Sequence, residues 1–321
     1  MKKLLTIQIF IFMTLAMFAM GDKDTDGKTV KVVVPNGAPT MCIAKMITEK
    51  PNLGLNTEYE SVKSPKLMQA RLLSGEADIV IAPSNLAAIL YAKKTDIQIA
   101  GTVVWGILYG ATTENIQSIQ DLKGKTILTF GRGLTPDITV REIFSKMGLQ
   151  PDKDVFFKYV ESTPELAPMF ISGKATTVIL PEPMLSMVLT KKPNAKVFLD
   201  VQKEWKKTIG GNSSYPQASL IISKKLIKEN PKYVKKFIKS VEKSMNWAVS
   251  NPEKAAKMGY DIMGGIPTPI LTKGIPRMNL EWKSAKEAQP ALESYFSILF
   301  SKNPKFIGGK MPDDGLYYKG K

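Results

Sequence analysis

Ser74-Gly75-Glu76-Ala77-Asp78-Ile79-Val80-Ile81-Ala82-Pro83 returns 98 positions later as Ser172-Gly173-Lys174-Ala175-Thr176-Thr177-Val178-Ile179-Leu180-Pro181. Each copy follows a stretch with helical apolar spacing, 67–73 and then 164–171. Each turns at Ser-Gly, where glycine suits the left-handed residue that closes a helix. Each then runs up a short apolar stretch of the kind that forms a buried strand, and stops at a proline where a new helix can start. Two copies of one helix-turn-strand unit predict two similar α/β lobes.

The same grammar extends in both directions. Strands are expected at 30–34, 57–60, 79–82, 97–104, 126–130, 156–159, 177–180 and 219–222, and the turn Pro35-Asn36-Gly37 leads into a helix over 40–50. Such alternation predicts an α/β class with largely parallel sheets. Asn230-Pro231 and Asn251-Pro252 each pair a capping residue with a proline suited to the first helical position, so two helices should start there. The repeat spacing allows two lobes, the second inserted into the first: 29–108 with 217–321, and 109–216. The crossings would be Leu108-Tyr109-Gly110-Ala111 and Tyr215-Pro216-Gln217-Ala218. A pair of extended crossings makes a hinge, and a hinged pair of lobes leaves a cleft.

Composition narrows the function. The chain has 321 residues, 44% of them hydrophobic and 23% charged, which fits a folded globular protein. Its net charge is +16, but the only arginines are Arg71, Arg132, Arg141 and Arg277. Dispersed lysines read as a solvated surface and argue against a nucleic-acid partner, which bidentate arginines serve better. A positive field also favours anionic ligands or surfaces. There is no histidine, which removes the commonest general base and the usual zinc ligand. Cys42 is the sole cysteine, excluding an internal disulfide and reading as a buried core thiol. No nucleotide fingerprint occurs, and no metal or cofactor is expected.

Residues 1–21 read as an export signal: Lys2 and Lys3, an apolar run over 4–20, then Gly21 before the polar stretch 22–28. Cleavage before Asp22 would release the chain outside the cytoplasm, and retention would leave an anchor. Cys42 lies too far along to carry a lipid.

Turns after strands, where helix N-termini offer free N–H groups to anions, supply the candidate site. They hold Asn36, Ser64, Ser84 with Asn85, Trp105, Arg132 with Thr135, and Glu182. Arg132 between two glycines could bind a carboxylate, sulfonate or phosphate, or be an exposed arginine on an ordinary turn. Trp105 could stack on a ligand or belong to the core. Ser84 and Asn85 could meet a ligand or cap the next helix. Glu182, between two prolines, could accept from a ligand amine or pair with a surface lysine.

These blocks, with Asp121-Leu122-Lys123-Gly124-Lys125-Thr126-Ile127, Pro181-Glu182-Pro183 and the stretch 216–252, resemble the substrate-binding proteins of ABC importers of the sulfonate, nitrate and pyrimidine-precursor type. The resemblance implies a type II periplasmic-binding fold that closes on a small-molecule solute, and docking of a monomer onto an ABC permease and ATPase complex. It implies a periplasmic or cell-surface location and no catalysis. It also places Asn36, Ser64, Ser84, Trp105, Thr135 and Glu182 on the pocket wall. Some relatives resemble pyrimidine-precursor synthases that depend on histidine, which this chain lacks. An exported basic adhesive or scaffold protein is the other alternative.

Overall fold

The computed structural model describes residues 28–62, 65–161, 163–209 and 213–320. The expected export signal lies outside them. The first part of the chain forms β1 (Thr29–Pro35), α1 (Ala38–Glu49), β2 (Asn56–Val62), α2 (Pro65–Leu73), β3 (Ile79–Pro83), α3 (Ser84–Ala92) and β4 (Ile97–Val104). Next come β5 (Leu108–Thr112), β6 (Thr126–Phe130), α4 (Thr135–Lys146), β7 (Phe156–Val160), α5 (Leu166–Ile171), β8 (Thr177–Pro181), α6 (Met184–Lys191), β9 (Lys196–Asp200) and α7 (Val201–Thr208). The chain returns through β10 (Ala218–Ser223), α8 (Lys224–Glu229), α9 (Pro231–Ser250), α10 (Pro252–Met263), α11 (Thr268–Gly274), β11 (Leu280–Ser284) and α12 (Ala285–Lys302).

The strands make two sheets, ordered β11-β4-β10-β3-β1-β2 and β7-β6-β8-β5-β9, and so a mixed α/β molecule of two lobes. Every strand expected from the sequence is present. The sheets are mixed rather than largely parallel, however: β10 runs antiparallel to β3 and β4, β11 to β4, and β5 to β8 and β9. The cause is the route of the chain. Ala218 opens β10 opposite Pro83 and Val104, the final residues of β3 and β4, so a strand arriving from the other lobe must run backwards. Leu108 opens β5 opposite Pro181 in the same way. Residues 108–111 are accordingly ladder strand, and the first crossing is confined to 105–107.

β1 shows how the alternation is used. Val30, Val32 and Val34 pack on one side of the sheet with Met41 and Cys42 of α1 and Phe237 of α9, whereas Val33 faces the opposite layer. That opposite layer continues between the lobes. Val80 and Ile97 belong to the same buried cluster as Phe144, Trp205, Tyr215 and, from α12, Tyr295 and Phe296. The Trp205 ring lies edge-on to both Tyr215 and Tyr295 at 5.5 Å, a favoured aromatic geometry.

Helices α9 and α10 start at Pro231 and Pro252 as expected, but Asn230 and Asn251 make no side-chain cap. Each asparagine also closes the preceding helix. Asn251 Nδ2 is directed backwards, donating to Trp247 O at 3.0 Å. Among the described residues no helix is long and apolar enough to cross a membrane.

Candidate functional site

The two copies of the repeated unit end beside the crossings. Ser84 N donates to Gln217 O at 3.2 Å, Gln217 N to Val104 O at 2.9 Å, and Glu182 N to Ile107 O at 3.1 Å. The carboxyl ends of β1 and β3 in one lobe and of β6 and β8 in the other are thereby held around one hinge, facing the space between the lobes. Gly106 makes the turn in the crossing with φ +79, and a Cβ there would lie 2.7 Å from Gln202 Cβ and 2.9 Å from the Tyr215 ring. Only glycine satisfies both conditions.

Three helices start at these strand ends without a side-chain cap. Their N-cap residues are Gly37 for α1, Pro83 for α3 and Leu134 for α4. Their first-turn N–H groups and helix dipoles favour negative charge. Helix α6 differs, because Glu182 accepts from Ser186 N at 3.2 Å and fills that terminus.

Asn36 is half-buried on the turn after β1. Its N donates to Val62 O at 2.9 Å and its Oδ1 accepts from Ser61 Oγ at 2.6 Å, which sets the entrance to α1. Ser64 lies outside the described residues. Ser84 is buried and shares a hydrogen bond with Ser219 Oγ at 2.8 Å, while Asn85 Nδ2 donates to Phe306 O at 3.0 Å. Neither caps α3, because that helix starts at Ser84 itself and both side chains are engaged with other segments.

Arg132 is exposed, with its guanidinium 5.5 Å from the centre of the Tyr159 ring. The turn that carries it is held from below. Asp137 Oδ2 accepts from Gly133 N at 2.8 Å, and Asp137 Oδ1 accepts from Tyr159 OH at 2.7 Å and Arg141 Nε at 2.8 Å. Arg141 Nη1 also donates to Asp152 at 2.6 Å, and that hydrogen bond holds the Asp152 carboxyl below its ordinary range. Thr135 is nearly buried as the first residue of α4, and its carbonyl accepts from Thr139 Oγ at 2.8 Å. Thr139 Oγ in turn meets Tyr295 OH at 3.2 Å, which brings α12 against α4.

For two candidates the structure decides between the alternatives the sequence left open, Trp105 in favour of the core and Glu182 in favour of an ion pair. Trp105 is 3% exposed, its Nε1 donates to Glu281 O at 3.0 Å, and Lys283 Nζ lies 4.5 Å from the ring centre. It therefore faces β11, the edge strand beyond β4, rather than the ends of β1 and β3. Glu182 is buried and paired with Arg277, a residue the sequence reading passed over, and not with a surface lysine. Burial raises its carboxyl above the usual range, while Arg277 and Ser186 act in the opposite direction. The sequence signal for Arg277 was available in the rarity of arginine in this chain.

Among the described residues no group of three or more His, Cys, Asp or Glu side chains could hold a metal ion. The buried acid at the hinge is neutralised by an arginine. The arrangement suits binding of a small polar or anionic molecule between uncapped helix ends.

The family model described as NMT1/THI5 like matches residues 52–255, more than half of the chain. No curated protein shows significant similarity in sequence. Among solved structures, an ABC transporter protein from Parabacteroides distasonis is 25% identical with a TM-score of 0.78, over 92% of this chain and 100% of that one. The periplasmic aliphatic sulphonate binding protein SsuA from Escherichia coli is 15% identical with a TM-score of 0.73, over 92% and 94%. The periplasmic nitrate-binding protein NrtA from Synechocystis PCC 6803 is 14% identical with a TM-score of 0.57, over 81% and 74%.

Proposed function

The chain belongs to the NMT1/THI5-like family, and on that premise we propose that it is the extracytoplasmic solute-binding component of an ABC importer. It takes a small anionic or heteroaromatic solute between its lobes and presents it, as a monomer, to a membrane permease with its ATPase. Residues 29–104 with 218–320 form one moving body and 108–214 the other, joined through 105–107 and 215–217. Solute that touches both shifts the population from open to closed.

The observation that supports this reading is that the helices starting at strand ends in both lobes, α1 and α3 in one and α4 in the other, carry no side-chain cap. An anion between them would satisfy orphan N–H groups of both bodies at once, which gives it a differential affinity for the closed form. Absence of histidine and the paired state of Glu182 support binding without turnover. Solved relatives described as sulphonate-binding and nitrate-binding proteins support an oxyanion or sulfonate as the solute class.

The test is a thermal-shift screen of residues 22–321 against sulfonates, inorganic oxyanions, pyrimidines and vitamin precursors, with hits titrated calorimetrically. A ligand that binds only the folded state raises the melting temperature. The expected result is a shift confined to one chemical class, with the compound recovered unchanged. A cooperative melt insensitive to every class would overturn the proposal.

A further inference from the structure

A second cavity, of about 500 Å³, opens on the other side of the hinge from the ends of β1, β3, β6 and β8. Trp105 of the crossing, Gln202, Lys203 and Lys206 of α7, Ser214, and Lys283 of β11 line it. Strand β9, which leads directly into α7, is the outer edge of one sheet, and β11 is the outer edge of the other. The two walls therefore belong to different lobes.

Gln202 is the informative group. It is 5% exposed, and its Oε1 accepts from Leu108 N at 3.0 Å and Tyr215 OH at 3.4 Å. Those two contacts fix the amide plane, and its Nε2, which can only donate, has no hydrogen-bond partner among the described residues. Ser214 Oγ, also buried, has none among the described residues either. Buried donors without acceptors are costly, and two of them on one cavity call for an occupant rich in acceptors.

The charges agree. Lys203, Lys206 and Lys283 face Asp200 and Glu281 around the cavity, an excess of one positive charge. Asp200 Oδ1 accepts from Lys203 N at 2.9 Å; burial raises this carboxyl above its ordinary range, while the Lys203 N–H and, more weakly, the nearby Gln202 amide act in the opposite direction, the amide lying beyond hydrogen-bond distance. Glu281 is solvent-exposed and 3.6 Å from Lys283 Nζ.

We propose that this hinge cavity is a second binding site, specific for a small oxyanion held by the Gln202 amide, the Ser214 hydroxyl and the ammonium groups of Lys206 and Lys283. An occupant ties α7 to β11 across the back of the hinge. Closure of the front cleft about 105–107 spreads that back, so the bound oxyanion opposes closure. The opposition rests on the solute-receptor reading, whereas the binding does not.

Calorimetric titration of residues 22–321 with inorganic phosphate and with sulfate, at ionic strength held constant with chloride, tests the site. Gln202→Glu keeps an oxygen for Leu108 N but exchanges the free donor for an acceptor, and Lys206→Gln removes a charge from an exposed position. Saturable binding at one site per chain is expected. Gln202→Glu should weaken it about tenfold or more, the size expected for a charged hydrogen bond, and Lys206→Gln should weaken it several-fold. Arg132→Ala, on the front turn, should leave it unchanged. Lack of saturable binding, or equal affinity in wild type, Gln202→Glu and Lys206→Gln, would overturn the proposal. Loss of binding in Arg132→Ala alone would place the anion in the front cleft, overturning this site while leaving the solute-receptor reading intact.

Discussion

Arg277, in the turn between α11 and β11, donates through Nε to Glu182 Oε1 at 2.5 Å and through Nη2 to Ser186 Oγ at 2.7 Å. Glu182 directly follows the second copy of the repeated unit in one lobe, and Arg277 comes from the other. The carboxylate is fully buried, whereas 37% of the arginine side chain is exposed, so the pair ties the lobes together with its acid end dry and its basic end open to solvent.

Removing the arginine strands a buried acid. Arg277→Ala should destabilise the fold by about 1–3 kcal/mol, below the range for a fully buried pair because solvent reaches the guanidinium. Glu182→Gln in the same background should recover most of the loss. Urea denaturation of the two single variants and the double variant measures the coupling, and strict additivity would deny that the pair acts as a unit.

The raised Glu182 carboxyl sets a pH dependence. A raised folded value means that the folded state holds the proton to higher pH than the unfolded chain. This contribution to stability is whole below the ordinary glutamate value of about 4.3 and is lost as pH rises through the folded value. Melting curves across that window should show wild type losing stability relative to Glu182→Gln. Parallel profiles would remove Glu182 as the source.

Gly106→Ala confronts the hinge with both a left-handed backbone and a collision with Gln202 and Tyr215. The expected cost is at least about 1–2 kcal/mol. Chemical denaturation reads it, and an unchanged midpoint would mean that the crossing adjusts freely.

Arg132→Ala should weaken binding of an anionic solute by about 1.5–3 kcal/mol, the range for a charged hydrogen bond, with the melting temperature of the unliganded protein preserved because the side chain is exposed. Calorimetry on the solute found by screening decides it. Unchanged affinity would leave Arg132 as a surface residue stacked on Tyr159.

Cys42 is 0% exposed on α1, and burial pushes its thiol far above the ordinary range. An aromatic disulfide reagent should fail to label it in the native protein and label it fully in denaturant. Rapid native labelling at neutral pH would contradict the packing of α1 against β4.

Legibility divided along physical lines. The strands β1, β3 and β4 were readable because each is an apolar run buried within a sheet and bounded by turn residues. β9 and β11 were passed over: each lies at a sheet edge where few side chains are fully buried, as do β2 and β7, which were nevertheless found. Asn36 and Arg132 stand on the turns after β1 and β6 to which the sequence assigned them, and Thr135 opens α4. Trp105, Asn85 and Glu182 were located on the chain but not in their surroundings, because their partners Glu281, Phe306 and Arg277 are all distant in sequence.

By itself the sequence determined the two-lobed α/β grammar, the repeated unit that ends each lobe's central strand at a proline, and an inventory of side chains poor in catalytic groups. Tertiary structure alone decided the antiparallel re-entry of β5 and β10, the interlobe pair of Glu182 with Arg277, and the cavity behind the hinge. The first set follows from local periodicity and burial, which each segment carries within itself. The second depends on which distant segments are brought together when the chain crosses between lobes, and no local pattern encodes that meeting.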